Sequence, residues 1–105
     1  MVKTVRNNKK KAIHFLQRYL LDTKDPKYCR DEEERRRASY TRSAVLYLIS
    51  KIMDDPYDSP ITVIENFIDV TGRTSGLMAS VAHDTALDIL DTYYLSGTRK
   101  NISLL

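Results

Sequence analysis

Residues 31–53 read DEEERRRASYTRSAVLYLISKIM, and this stretch decides the class of fold. It opens with a block of acids followed, four residues on, by a block of arginines, which gives three acid-to-base pairs at the i,i+4 spacing that supports a helix. Its second half, from Ala44 to Met53, is apolar almost all round. A helix of that kind must be buried on several sides. We therefore predict a long central helix at about residues 31–53, with other helices packed around it.

The flanking segments have the apolar spacing of helices and not the alternation of strands. We expect these further helices at about residues 7–21, 60–71 and 75–95. Gly72 and Gly97 fall just past periodic segments, where a left-handed residue would end a helix. The sequence thus predicts an all-α fold, a single small helical bundle of about four helices. Residues 1–97 would form the domain, and residues 98–105 a C-terminal tail.

Composition excludes several classes of protein. The chain has 105 residues, 42% hydrophobic and 30% charged, which is typical of one folded domain and too short for a two-lobed nucleotide-binding enzyme. The single cysteine, Cys29, cannot form an internal disulfide, so a reducing, cytoplasmic location is expected. The longest apolar run, Ala44 to Ile49, is far shorter than the roughly 20 residues of a membrane span. No membrane span is therefore expected.

The net charge of +3 conceals an uneven distribution. Residues 1–53 carry 14 basic and 6 acidic side chains, whereas residues 54–105 carry 3 basic and 8 acidic ones. The basic side chains that would contact nucleic acid or an acidic partner are Lys3, Arg6, Lys9, Lys10, Lys11, Arg18, Arg35, Arg36 and Arg37. Lysine and arginine neutralise phosphates, which makes this set a candidate nucleic-acid surface. A solvated helix end and an amphipathic membrane-surface segment are the other interpretations of the basic N-terminus.

Two further groups of side chains are candidate partner contacts. Tyr40 and Tyr47 lie seven residues apart on one face of the central helix, and tyrosine is enriched in binding patches. Asp84, Asp88 and Asp91 form an acidic stripe on the last helix. This stripe can remain solvated or dock on a basic surface, in the same chain or in a second copy.

Small residues recur at the start of the last helix. They are Gly76, Ala79, Ser80, Ala82 and Ala86. Small side chains let another helix approach closely, and that helix is either the central helix of the same chain or a helix of a second copy.

Catalytic signatures do not occur in the sequence, which has no phosphate-binding loop, no nucleophile elbow and no zinc-ligand spacing. The acidic stripe would suit a metal-dependent hydrolase, because carboxylates bind Mg²⁺ or Mn²⁺. However, His83 and Asp84 point about 100° apart on a helix and do not form a metal-binding pair. We expect no catalytic residues, no metal, no cofactor and no small-molecule substrate.

The sequence favours a small non-enzymatic protein-interaction module that binds another protein or a second copy of itself. The alternative is a small nucleic-acid-binding or regulatory protein that uses the basic first helix, and a metal-dependent hydrolase is the weakest interpretation. The position of the charges separates the first two. A continuous basic surface favours nucleic acid, whereas a basic first helix docked on the acidic stripe makes the charge asymmetry internal.

Overall fold

In a computed structural model of the chain, helices follow one another through short connections. The structure describes the backbone of residues 2–103 and the side chains of residues 8–93. In this part of the chain the four α-helices are α1 (Val2–Asp22), α2 (Glu32–Asp54), α3 (Pro60–Gly72) and α4 (Leu77–Ser103), and a 3₁₀ turn (Pro26–Tyr28) precedes α2. The predicted all-α bundle of four helices is confirmed.

The start of α2 shows how a cap competes with an ion pair. The Asp31 carboxylate accepts a hydrogen bond from the Glu33 amide (3.1 Å), an amide that has no partner within the helix. Asp31 is therefore used as the cap, and Arg35 instead donates to the Cys29 carbonyl (3.1 Å). The predicted pairing of Asp31 with Arg35 is wrong for this reason.

The hydrophobic core lies where α2 meets the other helices. Its buried members are Ala12 and Leu16 of α1, Val45, Leu48 and Ile52 of α2, Val63 and Ile64 of α3, and Ile89 of α4. Because α2 contacts α1, α3, α4 and the 3₁₀ turn, it is the central helix, as predicted. One face of it nevertheless stays open, since Leu46, Tyr47 and Met53 are 52%, 47% and 62% exposed.

The junction of α3 and α4 depends on two glycines, for different reasons. Gly72 is helical and not left-handed, contrary to the prediction. What restricts this position is space, because a Cβ here would lie 3.0 Å from Cε1 of His83. His83 Nδ1 lies 3.0 Å from the Ile68 carbonyl, which only accepts, so Nδ1 carries the proton. The left-handed residue is Gly76, with a φ of 109°.

The small residues of α4 serve packing within the chain. Ala82 and Ala86 are buried, where α4 packs on α2 and α3. Ala79 is half-buried and Ser80 is exposed. The central helix of the same chain therefore uses the close approach that these residues allow.

The last helix is longer than the sequence predicts. The backbone of α4 is helical to Ser103, past the expected end near Leu95. A glycine inside a helix costs only about 1 kcal/mol relative to alanine, so Gly97 need not end one. The separation of residues 98–105 from the domain as a tail stays a prediction.

Candidate interaction surface

An open groove runs between α2, the end of α3 and the start of α4. Its volume is about 530 Å³, within the range of protein binding pockets. Its lining combines the large side chains of Tyr40, Tyr47, Phe67 and Met78 with the small ones of Ser43, Ala44 and Ala79. We call this the α2–α4 groove. Large apolar side chains around small ones leave room for a side chain from another molecule.

Tyr47 is held in place on this surface. Its ring lies 5.1 Å from that of Phe67, centroid to centroid, at an interplanar angle of 31°. The Lys51 ammonium lies 5.6 Å from the centre of the Tyr47 ring, within cation–π distance. An aromatic ring that is ordered before binding loses little conformational entropy when a partner covers it.

A second hollow of about 300 Å³ continues the groove along α2. It also contains Tyr47 and Phe67, and it reaches Asp55 and Asp58 in the connection to α3. The Asp55 carboxylate accepts hydrogen bonds from the amides of Asp58 (2.9 Å) and Tyr57 (2.8 Å). These bonds favour the charged carboxylate and lower the pKa of Asp55. Two carboxylates, those of Asp55 and Asp58, thus lie at this end of the surface together with the Lys51 ammonium.

The opposite end of α2 carries both acidic and basic side chains, which largely neutralise one another. Arg36 lies 3.7 Å from Glu32, and Arg37 lies 3.7 Å from Glu33. Both pairs have the predicted i,i+4 spacing and are solvent-exposed, so each contributes only about 0.3–0.5 kcal/mol. The two arginines remain able to exchange partners with an approaching carboxylate.

The remaining predicted basic contacts differ in how the fold uses them. Lys9 donates to the Asp55 carbonyl and is used within the chain, and Arg35 bonds the Cys29 carbonyl. Lys10, Lys11 and Arg18 are exposed. The side chains of Lys3 and Arg6 lie outside the described residues.

Two exposed basic residues of α1 share a hollow with one acidic side chain. Lys11 and Arg18 line a hollow of about 330 Å³ together with Asp22. At the same seam, Tyr19 donates a hydrogen bond of 2.5 Å to Asp88 of the acidic stripe. No ion pair joins α1 to α4 among the side chains that the structure describes. The two helices thus adjoin through the neutral hydroxyl of Tyr19.

The other two members of the acidic stripe, Asp84 and Asp91, are exposed. Among the side chains of residues 8–93, no three His, Cys, Asp or Glu side chains lie close enough together to hold a metal ion. In the described part of the chain, no helix has the length and apolar character needed to cross a membrane.

The Tyr19–Asp88 hydrogen bond predicts a response to alkaline pH. Burial, the hydrogen bond and the charge of Asp88 all raise the pKa of Tyr19 above its ordinary value near 10. The folded state therefore holds this proton when the unfolded chain has released it. The contribution of Tyr19 to the free energy of unfolding is therefore fully present below about pH 10, and it decreases as the pH rises further.

We expect Tyr19→Phe to lower the free energy of unfolding by about 1 kcal/mol at pH 7, through loss of the bond. Between pH 9 and 11 the variant should lose stability less steeply than the parent chain. Urea unfolding followed by circular dichroism measures both effects. Parallel curves for the two proteins above pH 9 would contradict the prediction.

Only part of the lining of the α2–α4 groove can be predicted from the sequence. Tyr40 and Tyr47, the predicted partner contacts on α2, line it, and so do Phe67 and Met78, which the sequence pattern does not single out. Helical spacing shows which residues share one helix face, but not which neighbouring helix lines the same groove.

Comparisons with protein-family models, with curated proteins and with solved structures find no match to this chain.

Proposed function

We propose that this chain is a protein-interaction module that receives an apolar helix of a partner polypeptide in the α2–α4 groove. The observation that carries the proposal is the groove itself, where Tyr47 and Met78 are 47% and 57% exposed beside small residues. Tyrosine and methionine side chains are enriched in the centres of protein interfaces. Burying such side chains contributes about 25 cal/mol for each Å² of apolar surface removed from water.

The shape of the groove favours a helix as its occupant. Together with the hollow that continues it, the groove follows α2 from Tyr40 toward Asp55, which at 1.5 Å per residue is a distance of about 22 Å. That length accommodates about four turns of a second helix. Helices bound in grooves present large apolar side chains at i, i+4 and i+7 spacing, and the small lining residues leave space for them.

The basic residues support a nucleic-acid function less well. Lys9 and Arg35 are used within the chain. Near Lys11 and Arg18 lies the carboxylate of Asp22, and a phosphate backbone would meet its negative charge. These contacts within the chain favour the groove over the basic residues as the binding surface.

Selection from a phage library of random 16-residue peptides would test the groove as a binding surface. We expect the selected peptides to carry large apolar residues at helical spacing, and to bind the Tyr47→Ala variant at least tenfold more weakly. Tyr28→Ala is the matched control, because Tyr28 is 70% exposed and does not line the groove. Selected peptides that bind Tyr47→Ala as well as they bind the parent chain would overturn the proposal.

A further inference from the structure

Six side chains form a stripe along the open face of α2. They are Arg36, Tyr40, Ser43, Tyr47, Ser50 and Asp54. Their alternating spacing of four and three residues is that of a coiled-coil seam. Tyr40 is half-buried and the other five are exposed, so the stripe faces solvent along the edge of the α2–α4 groove.

We propose that this stripe docks on the same stripe of a second copy of the chain. The two α2 helices would lie antiparallel, related by a two-fold axis close to residue 45. This inference rests on the proposed function, because it names the partner whose helix the groove receives: the α2 helix of the second copy, in which Tyr40 and Tyr47 supply the large side chains at i and i+7.

The sizes of the side chains favour this register. With the axis near residue 45, Tyr47 of each copy faces Ser43 of the other, and Tyr40 faces Ser50. Each large side chain therefore meets a small one in every central layer, which is the condition for interdigitation of two helices. Phe67 and Met78, which line the groove beside Tyr47, extend the apolar area on both copies.

The charges at the two ends of the stripe favour the same register and the antiparallel direction. Arg36 of each copy faces Asp54 of the other, so the pairing occurs twice. A parallel arrangement would place Arg36 against Arg36 and Asp54 against Asp54, which is repulsive. An antiparallel register centred midway between residues 43 and 44 would instead place Arg36 against Lys51.

A two-fold interface must be complementary to itself, because the same patch contributes both sides. The stripe meets this condition in both size and charge, with a basic residue at one end and an acidic residue at the other. A groove for an unrelated helix needs no such symmetry in its own sequence. This symmetry selects a second copy as the partner.

Sedimentation equilibrium of the full chain between about 10 and 500 μM tests the proposal. We expect the parent chain to dimerise. In the proposed dimer, position 36 of each copy faces position 54 of the other. Arg36→Asp would therefore set two pairs of carboxylates against each other, and Asp54→Arg would set two pairs of arginines against each other. Each variant alone should raise the dimer dissociation constant about tenfold. Both positions are exposed, and circular dichroism would establish that both variants fold.

Mixing the two variants provides the decisive arm. In the mixed dimer, one copy has aspartate at both positions 36 and 54, and the other copy has arginine at both. Every aspartate of the first copy then faces an arginine of the second, so we expect association to return to the level of the parent chain. Asp84→Arg is the matched control, because Asp84 is exposed on α4 outside the stripe and should leave dimerisation unchanged. A monomeric parent chain, or a mixture that associates no better than its components, would overturn the inference.

The two proposals fail in different ways. A parent chain that stays monomeric while peptides still bind in a Tyr47-dependent manner refutes the second copy and retains the groove as a binding surface. A parent chain that stays monomeric, and to which no selected peptide binds in a Tyr47-dependent manner, refutes both.

Discussion

Replacing Leu48 by alanine is expected to lower the free energy of unfolding by about 2–5 kcal/mol. Leu48 lies in the middle of α2, is 0% exposed and belongs to the core shared by the four helices. Truncation removes its buried methyl groups and leaves a cavity that well-packed neighbours only partly fill. Since a domain has a net stability of only about 5–15 kcal/mol, this loss is a large part of the total.

The matched control for this substitution is Leu21→Ala. Leu21 is also a helical leucine, near the end of α1, but it is 82% exposed. Alanine has the higher helix propensity and no apolar surface is uncovered, so we expect a change within about 0.5 kcal/mol. Urea unfolding of the two variants measures the contrast. A similar loss at both positions would show that Leu48 does not lie in a packed core.

Enlarging Ala86 to leucine is the second substitution with a large expected effect. Ala86 is 0% exposed on α4, in the region that packs on α2 and α3. Leucine adds three carbon atoms to a site without space for them, and such overpacking costs about 1–3 kcal/mol. We expect a lower midpoint of urea unfolding, with little change in the helical signal of the folded state.

Ala79→Leu is the control on the same helix, two turns earlier. Ala79 is half-buried and lines the α2–α4 groove, where open space accepts a larger side chain. Stability should change by less than about 0.5 kcal/mol, whereas association through the groove should weaken because the added side chain occupies it. Equal destabilisation by both substitutions would mean that the groove is closed in solution.

Local sequence features determined much of the fold. The i,i+4 charge pairs and the apolar run of residues 31–53 predicted the central helix to within one residue at each end. The third helix begins at residue 60, as predicted, because Pro60 is pre-organised for the first helical position and Ser59 caps the free amides. The predictions failed where two local signals competed, as at Asp31, which caps α2 and so does not pair with Arg35.

The candidate site was predictable in part, for a related reason. Tyr40 and Tyr47 belong to one helix, and their spacing alone places them on one face. Phe67 and Met78 join them only because α3 and α4 fold back against α2, and no local pattern encodes that meeting. The basic N-terminus shows the converse, since Lys9 looks free in the sequence but reaches the Asp55 carbonyl in the fold.

The sequence by itself determined the class of the fold, the order of its helices, the bounds of α2 and α3 to within one residue, and the uneven distribution of charge. These depend on hydrogen bonds and side-chain spacing within a few residues. Tertiary structure decided which face of α2 remains open, that Ala82 and Ala86 serve packing within the chain, and that Tyr19 and not an ion pair links α1 to Asp88. Those outcomes depend on helices that are distant in sequence competing for the same apolar surface, and only the packed chain resolves that competition.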